Sequence, residues 1–165
     1  MASHRSVALL LVGVLFPLAL PGHAQMRETA DTTEADTIEK AARAAAQQWL
    51  QHVDSGAWST AWDDAAPLLR ETISGEQWES RGAQARRVLG PLRSRRLIRV
   101  QRRDSIRQAS RSGPFVLLRY RSTFRAGLYV ETILTARTDD AWKVAGYEVA
   151  PIAAAGDQDS TAPRP

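Results

Sequence analysis

The chain has no cysteine and no asparagine, and lysine makes up only two of its 22 basic side chains. Without cysteine there is no disulfide, no thiolate zinc site and no lipoprotein anchor on an acylated cysteine. Histidine is scarce too: His4 and His23 fall in the leader described below, which leaves His52 alone. A histidine-built metal site is therefore not expected, and the acidic residues lack calcium-loop spacing. No nucleophile elbow or phosphate-cradling glycine loop occurs. The sequence accordingly implies no metal and no cofactor. The fourteen-residue apolar run Val7–Leu20 is broken by Pro17 and falls short of the ~20 residues a spanning helix needs.

That run has another use. His4 and Arg5 precede it, and "PGHA" follows it, with Gly22 and Ala24 three residues and one residue before the expected cut at Gln25. This is the pattern of a secretory signal peptide over residues 1–24, cleaved after Ala24, so the mature protein is expected in the periplasm or outside the cell with no transmembrane anchor. The excess of arginine and alanine suggests a GC-rich bacterial genome and dilutes any functional reading of the arginines.

Residues 25–35 are polar, acidic and aperiodic and read as a flexible lead-in. Residues 153–165 read as a disordered tail. Between them, 36–152 form one domain, helical first and stranded after. Ile38, Ala42, Ala45, Trp49 and Val53 share one face of a first helix that ends near Gly56. Trp58, Trp62, Ala65 and Leu69 share a face of a second, with a kink or break expected just before Pro67. A third opens on a capping box of Ser74 and Gln77, with Ile73 poised to staple onto Trp78. Gly82 on its apolar face predicts close approach of a neighbour.

Four strands are expected, at about 94–104, 115–125, 128–137 and 141–150, joined by short turns into an antiparallel meander. Alternation assigns Ile98, Val100, Val116, Leu118, Tyr120, Phe124, Val130, Thr132, Leu134, Trp142 and Val144 to an apolar face. It assigns Arg95, Arg99, Arg103, Arg119, Arg121, Arg125, Glu131, Lys143 and Tyr147 to the other. The stretch "WLQHVDSGAWSTAW" (49–62) then reads as the seam where two helices fold back on each other. Its tryptophans fill the space between helices and sheet, with Asp54 capping the second helix.

The strings "AAQQWLQHVDSGAWSTAWDDAA", "ISGEQW", "RRVLGPLRSR", "ETILTAR" and "WKVAGYEV" together resemble the bacterial domain-of-unknown-function family 4019, over about residues 41–149. The resemblance implies a nuclear transport factor 2-like arrangement, a cone in which helices pack into the concave side of a curved sheet. It carries no catalytic residues with it. The expected fold is α+β: three N-terminal helices on a curved four-stranded antiparallel sheet.

Two surfaces offer chemistry. If the fourth strand keeps the phase of Trp142 and Val144, Glu148 faces the helix-covered side with Tyr120 and Thr132, near Trp62. These four residues could then line a pocket for a small apolar ligand, and Glu148 is the one candidate catalytic base for a hydrolase or isomerase. A bulge at Gly146 reverses that phase and sends Glu148 to solvent. The second surface is electrostatic. Residues 81–125 hold fourteen arginines and a single acid, Asp104, whereas residues 26–79 hold eleven acids and four bases. Arg95, Arg99, Arg103, Arg119, Arg121 and Arg125 on one open face suit an acidic protein or lipid headgroups. Nucleic acid is not expected, for lack of a recognition motif and because of export. The reading is an exported, non-catalytic ligand-binding or protein-interaction module, with the enzyme as alternative.

Overall fold

The computed structural model describes residues 22–106 and 109–152, with side chains from residue 33 onward except at 107–112. Helices α1 (Gly22–Ser55), α2 (Trp58–Asp63), α3 (Pro67–Thr72) and α4 (Gly75–Leu89) precede strands β1 (Leu92–Ile106), β2 (Ala109–Phe124), β3 (Gly127–Thr138) and β4 (Ala141–Pro151). The strands form one antiparallel sheet in the order β1-β2-β3-β4. The fold is thus α+β with the helices N-terminal to the sheet, as expected. Residues 1–21 of the expected leader and the expected tail at 153–165 lie outside the described residues. Helix α1 runs unbroken through 25–35, where the polar composition predicts a flexible lead-in. No helix among the described residues is long and apolar enough to cross a membrane.

Local chemistry explains the breaks. Gly56 takes φ +79°, which a Cβ would disfavour. The Ala57 N–H reaches the His52 carbonyl and the Gly56 N–H that of Val53, a Schellman closure of α1. The expected second helix is two: α2 stops before Pro67, which opens α3 at its first position, where no N–H is needed. The capping box of Ser74 and Gln77 starts α4. At Gly82 an added Cβ would lie 2.5 Å from the Trp58 ring, so α4 does approach α2 closely.

The strands depart from simple alternation at several points, two of which decide which side chains face the helices. A bulge between Leu97 and Arg99 shifts β1. Arg95, Leu97 and Val100 are partly buried, while Ile98 stands 45% exposed. In β3 the residues turned to the main core are Glu131, Ile133 and Thr135, all wholly buried, and not Val130, Thr132 and Leu134; Ala136 is buried in the smaller cluster. Both phases of β3 carry apolar side chains, so hydrophobicity alone cannot choose between them, and Glu131 finds its donors only on the inner side. A second irregularity pairs Leu134 with Gly146 but Thr135 with Val144, and the extra residue, Ala145, resets β4. Tyr147 turns inward and Glu148 outward, the alternative that a bulge at Gly146 predicts.

The core lies between the helices and the inner sheet face. Ala42, Ala46, Trp49, Leu50 and Val53 of α1 meet Val116, Leu118, Tyr120, Ile133 and Val144, with Trp78 completing the layer. Trp49 packs 5.5 Å from Trp78 and 5.3 Å from Tyr147, centroid to centroid. Three indole nitrogens reach a helix carbonyl or one beside it: Trp49 to Ala61 (2.6 Å), Trp62 to Ile73 (3.1 Å) and Trp78 to Trp58 (3.0 Å). The rings therefore fill volume and tie the helices together. A smaller cluster of Ala66, Phe115, Ala136 and Ala145 sits apart from this layer.

Candidate functional site

Glu131 is wholly buried at the centre of the inner face. A lone carboxylate there would be expensive to desolvate, so its partners decide its state. Arg95 donates Nε to Oε2 at 2.6 Å and Nη2 to Oε1 at 2.9 Å, a two-pronged contact. The Tyr147 hydroxyl donates to Oε1 at 2.6 Å, and the Ser122 hydroxyl donates to Oε2. A carboxylate offers about four lone-pair directions, and these four donors fill them. None is left for a substrate proton.

Arg95 also reaches outward. Its Nη1 donates to Asp54 Oδ2 at 2.6 Å and its Nη2 to Oδ1 at 3.0 Å, and Arg86 binds the same Asp54. Arg86–Asp54–Arg95–Glu131 is thus an alternating chain of charge from α4 through α1 and β1 to β3. Burial works against the Arg95 charge, but the hydrogen bonds it donates to Asp54 and Glu131, with their negative charges, outweigh it and hold its pKa above the ordinary value. Burial, reinforced by the Glu131 charge, pushes the Tyr147 hydroxyl well above the usual phenol range.

The network corrects three expectations. Arg95 faces the interior, not the open face. Glu131, also assigned to that face, is buried and pairs with Arg95. Asp54 binds two arginines, and the N-cap of α2 is Ala57, with no side-chain capping bond. The signal in the sequence was an acid inside an apolar strand, "YVETIL", with a serine and a tyrosine available on neighbouring strands.

The proposed pocket residues do not assemble. Tyr120 lies on the inner face and is 3% exposed. Thr132 and Glu148 pair with each other across β3 and β4 on the outer face, where Glu148 is exposed. Trp62 is engaged in the helical layer, with the Arg70 guanidinium 5.9 Å from its ring centroid. His52 has a carboxylate 3.3 Å away, on Asp64. The cleft beside this pair holds about 180 Å³ and is lined by no serine, threonine or cysteine.

Four outer arginines come into register across β1 and β2. Arg99, Arg103, Arg119 and Arg121 are exposed on the strands, and Arg96, absent from the expected set, joins them; Arg125 is exposed too but sits in the turn after β2, beside Gly90. Arg96 sits directly opposite Arg121, and Arg99 opposite Arg119. Thr132 continues the second row from Arg119 to Glu148. Exposed Ile98 and Leu128 flank these arginines.

No curated protein matches the chain. The family described as "Protein of unknown function (DUF4019)" matches residues 45–147, and the chain belongs to it.

Proposed function

We propose that this family member is an exported, non-catalytic interaction module that docks its uncovered, arginine-bearing sheet face onto anionic phospholipid headgroups. The observation that carries the reading is the two like-charged pairs placed opposite each other across β1 and β2, Arg96 with Arg121 and Arg99 with Arg119. Like charges directly opposite each other destabilise a sheet by roughly 0.2–1 kcal/mol per pair. A phosphate between two guanidiniums reverses that sign, because each offers it a fork of donors. Ile98 and Leu128 supply apolar tips for the boundary between headgroups and acyl chains. Export is supported by the charged start, apolar run and small-residue cleavage pattern of residues 1–24.

The enzyme reading needs an enclosed base with a free lone pair. Glu131 is fully engaged and Glu148 is at the surface. This is what favours binding over catalysis.

At about 1 kcal/mol per arginine near an anionic surface, Arg96, Arg99, Arg119 and Arg121 together give roughly 4 kcal/mol, a millimolar attraction that salt weakens. The test is co-sedimentation of the mature chain with phosphatidylglycerol vesicles and with neutral phosphatidylcholine vesicles. Salt-sensitive pelleting with the former alone, lost in Arg99→Glu/Arg121→Glu, is the expected result. Equal pelleting of the double variant, or no pelleting with anionic vesicles, overturns the reading.

A further inference from the structure

A cleft of about 590 Å³ opens between α1 and the edge strand β1. On the helix side Arg43, Gln47 and Gln51 recur every four residues and so line one stripe along the cleft. On the strand side lie Arg95, Arg96 and Leu97, with Tyr120 of β2 and Leu50 of α1 adding apolar surface. The lining therefore combines three guanidiniums, a single acid (Asp54) and a hydrophobic floor.

Two features of this cleft have no use in the fold. Arg43 and Arg96 form no ion pair among the described residues, unlike Arg95, which Asp54 and Glu131 hold. The Tyr120 hydroxyl is sealed from solvent and has no hydrogen-bond partner among the described residues. A buried hydroxyl without a partner is unfavourable unless a water or ligand oxygen meets it. Burial raises the Tyr120 pKa, and the nearby positive charge of Arg43 opposes that rise, which places the guanidinium within electrostatic reach of the phenol.

We propose that this cleft binds a small molecule with an oxyanion head and an apolar body. Arg43 and Arg96 pair with the head, the Tyr120 hydroxyl donates to one of its oxygens, and Leu50 and Leu97 contact the body. The hydroxyl is closed off in the unliganded chain, so entry displaces long, exposed side chains of the lining, Arg43 and Gln47. An anion suits this site better than a neutral polar molecule because the lining carries an excess of positive charge. The site shares Arg96 with the outer sheet face, but Arg43 and the Tyr120 hydroxyl belong to the cleft alone, so their variants test it separately from adhesion to vesicles.

The experiment is titration calorimetry of the mature chain with benzoate, benzyl alcohol and inorganic phosphate, at low salt. Benzoate is expected to bind and benzyl alcohol to bind at least tenfold more weakly. Phosphate binding without benzoate binding assigns the head as a phosphate and retains the oxyanion site. Arg43→Gln is expected to weaken the bound anion at least tenfold. Tyr120→Phe is expected to weaken it about fivefold while the melting temperature of the free protein stays the same or rises, because the variant removes an unpartnered hydroxyl. The proposal is overturned if neither anion binds, if benzyl alcohol binds as well as benzoate, or if both variants bind as the parent does. A fall in melting temperature for Tyr120→Phe overturns the role given to its hydroxyl.

Discussion

Tyr147 shows at the scale of one residue how the interior is arranged. Its ring packs against Trp49 and Trp78, and its hydroxyl completes the donor set of Glu131. Ionising it would place a second negative charge against a buried carboxylate, so its pKa is raised by burial and then by Glu131. Tyr120 is raised by burial too. A pKa raised in the fold means that the folded chain keeps protons the unfolded chain releases. The stabilisation is complete below the unfolded phenol value of about 10 and falls as pH rises above it. The expected slope is up to about 1.4 kcal/mol per pH unit for each tyrosine. Urea unfolding between pH 8 and pH 11 checks this: the parent loses stability across that interval, and Tyr147→Phe loses distinctly less.

At the scale of the element, α4 is placed by one missing side chain. Alanine in a helix is ordinarily about 1 kcal/mol better than glycine. At position 82 the Trp58 ring occupies the space, so Gly82→Ala must push α2 and α4 apart. The expected outcome is a net loss of about 1–3 kcal/mol, read by denaturant unfolding with a change in tryptophan near-ultraviolet circular dichroism. Unchanged or increased stability would show that the two helices are free to separate.

The helices were legible in the sequence because each carried its own chemistry: the Trp49 stripe, Gly56, Pro67 and the Ser74–Gln77 box all act within a few residues. The sheet was legible in number, order and turns, but its phase was not. In β1 and β4 a single inserted residue, at Ile98 and at Ala145, exchanges the faces; Gly146 signals the bulge in β4, but nothing within β1 announces its own. In β3 the inward phase was settled by Arg95 and Tyr147 meeting Glu131 from 36 and 16 residues away. The buried network is not legible for this reason, and of the two phases open to Glu148 the structure takes the one with the bulge beside Gly146.

On the scale of the whole molecule, charge is divided between two tasks. Inside, Arg95 and Glu131 neutralise each other, with Asp54 and Arg86 extending the chain to the surface. Outside, Arg96, Arg99, Arg119 and Arg121 have no such partners among the described residues and stand in like-charged rows. The inner set holds the fold together, and the outer set is free to meet another surface. Removing one member of a buried pair leaves the other uncompensated, at a cost of about 3–5 kcal/mol. Reversing charges that already repel each other costs little stability.

The most direct test compares adhesion to phosphatidylglycerol vesicles for the parent, Glu131→Gln and Arg99→Glu/Arg121→Glu, at a temperature where near-ultraviolet circular dichroism shows all three folded. The account predicts that Glu131→Gln, although less stable to urea by about 3–5 kcal/mol, adheres as the parent does, while the double variant keeps its stability and lets go. Loss of adhesion in folded Glu131→Gln, with the double variant still bound, would contradict it.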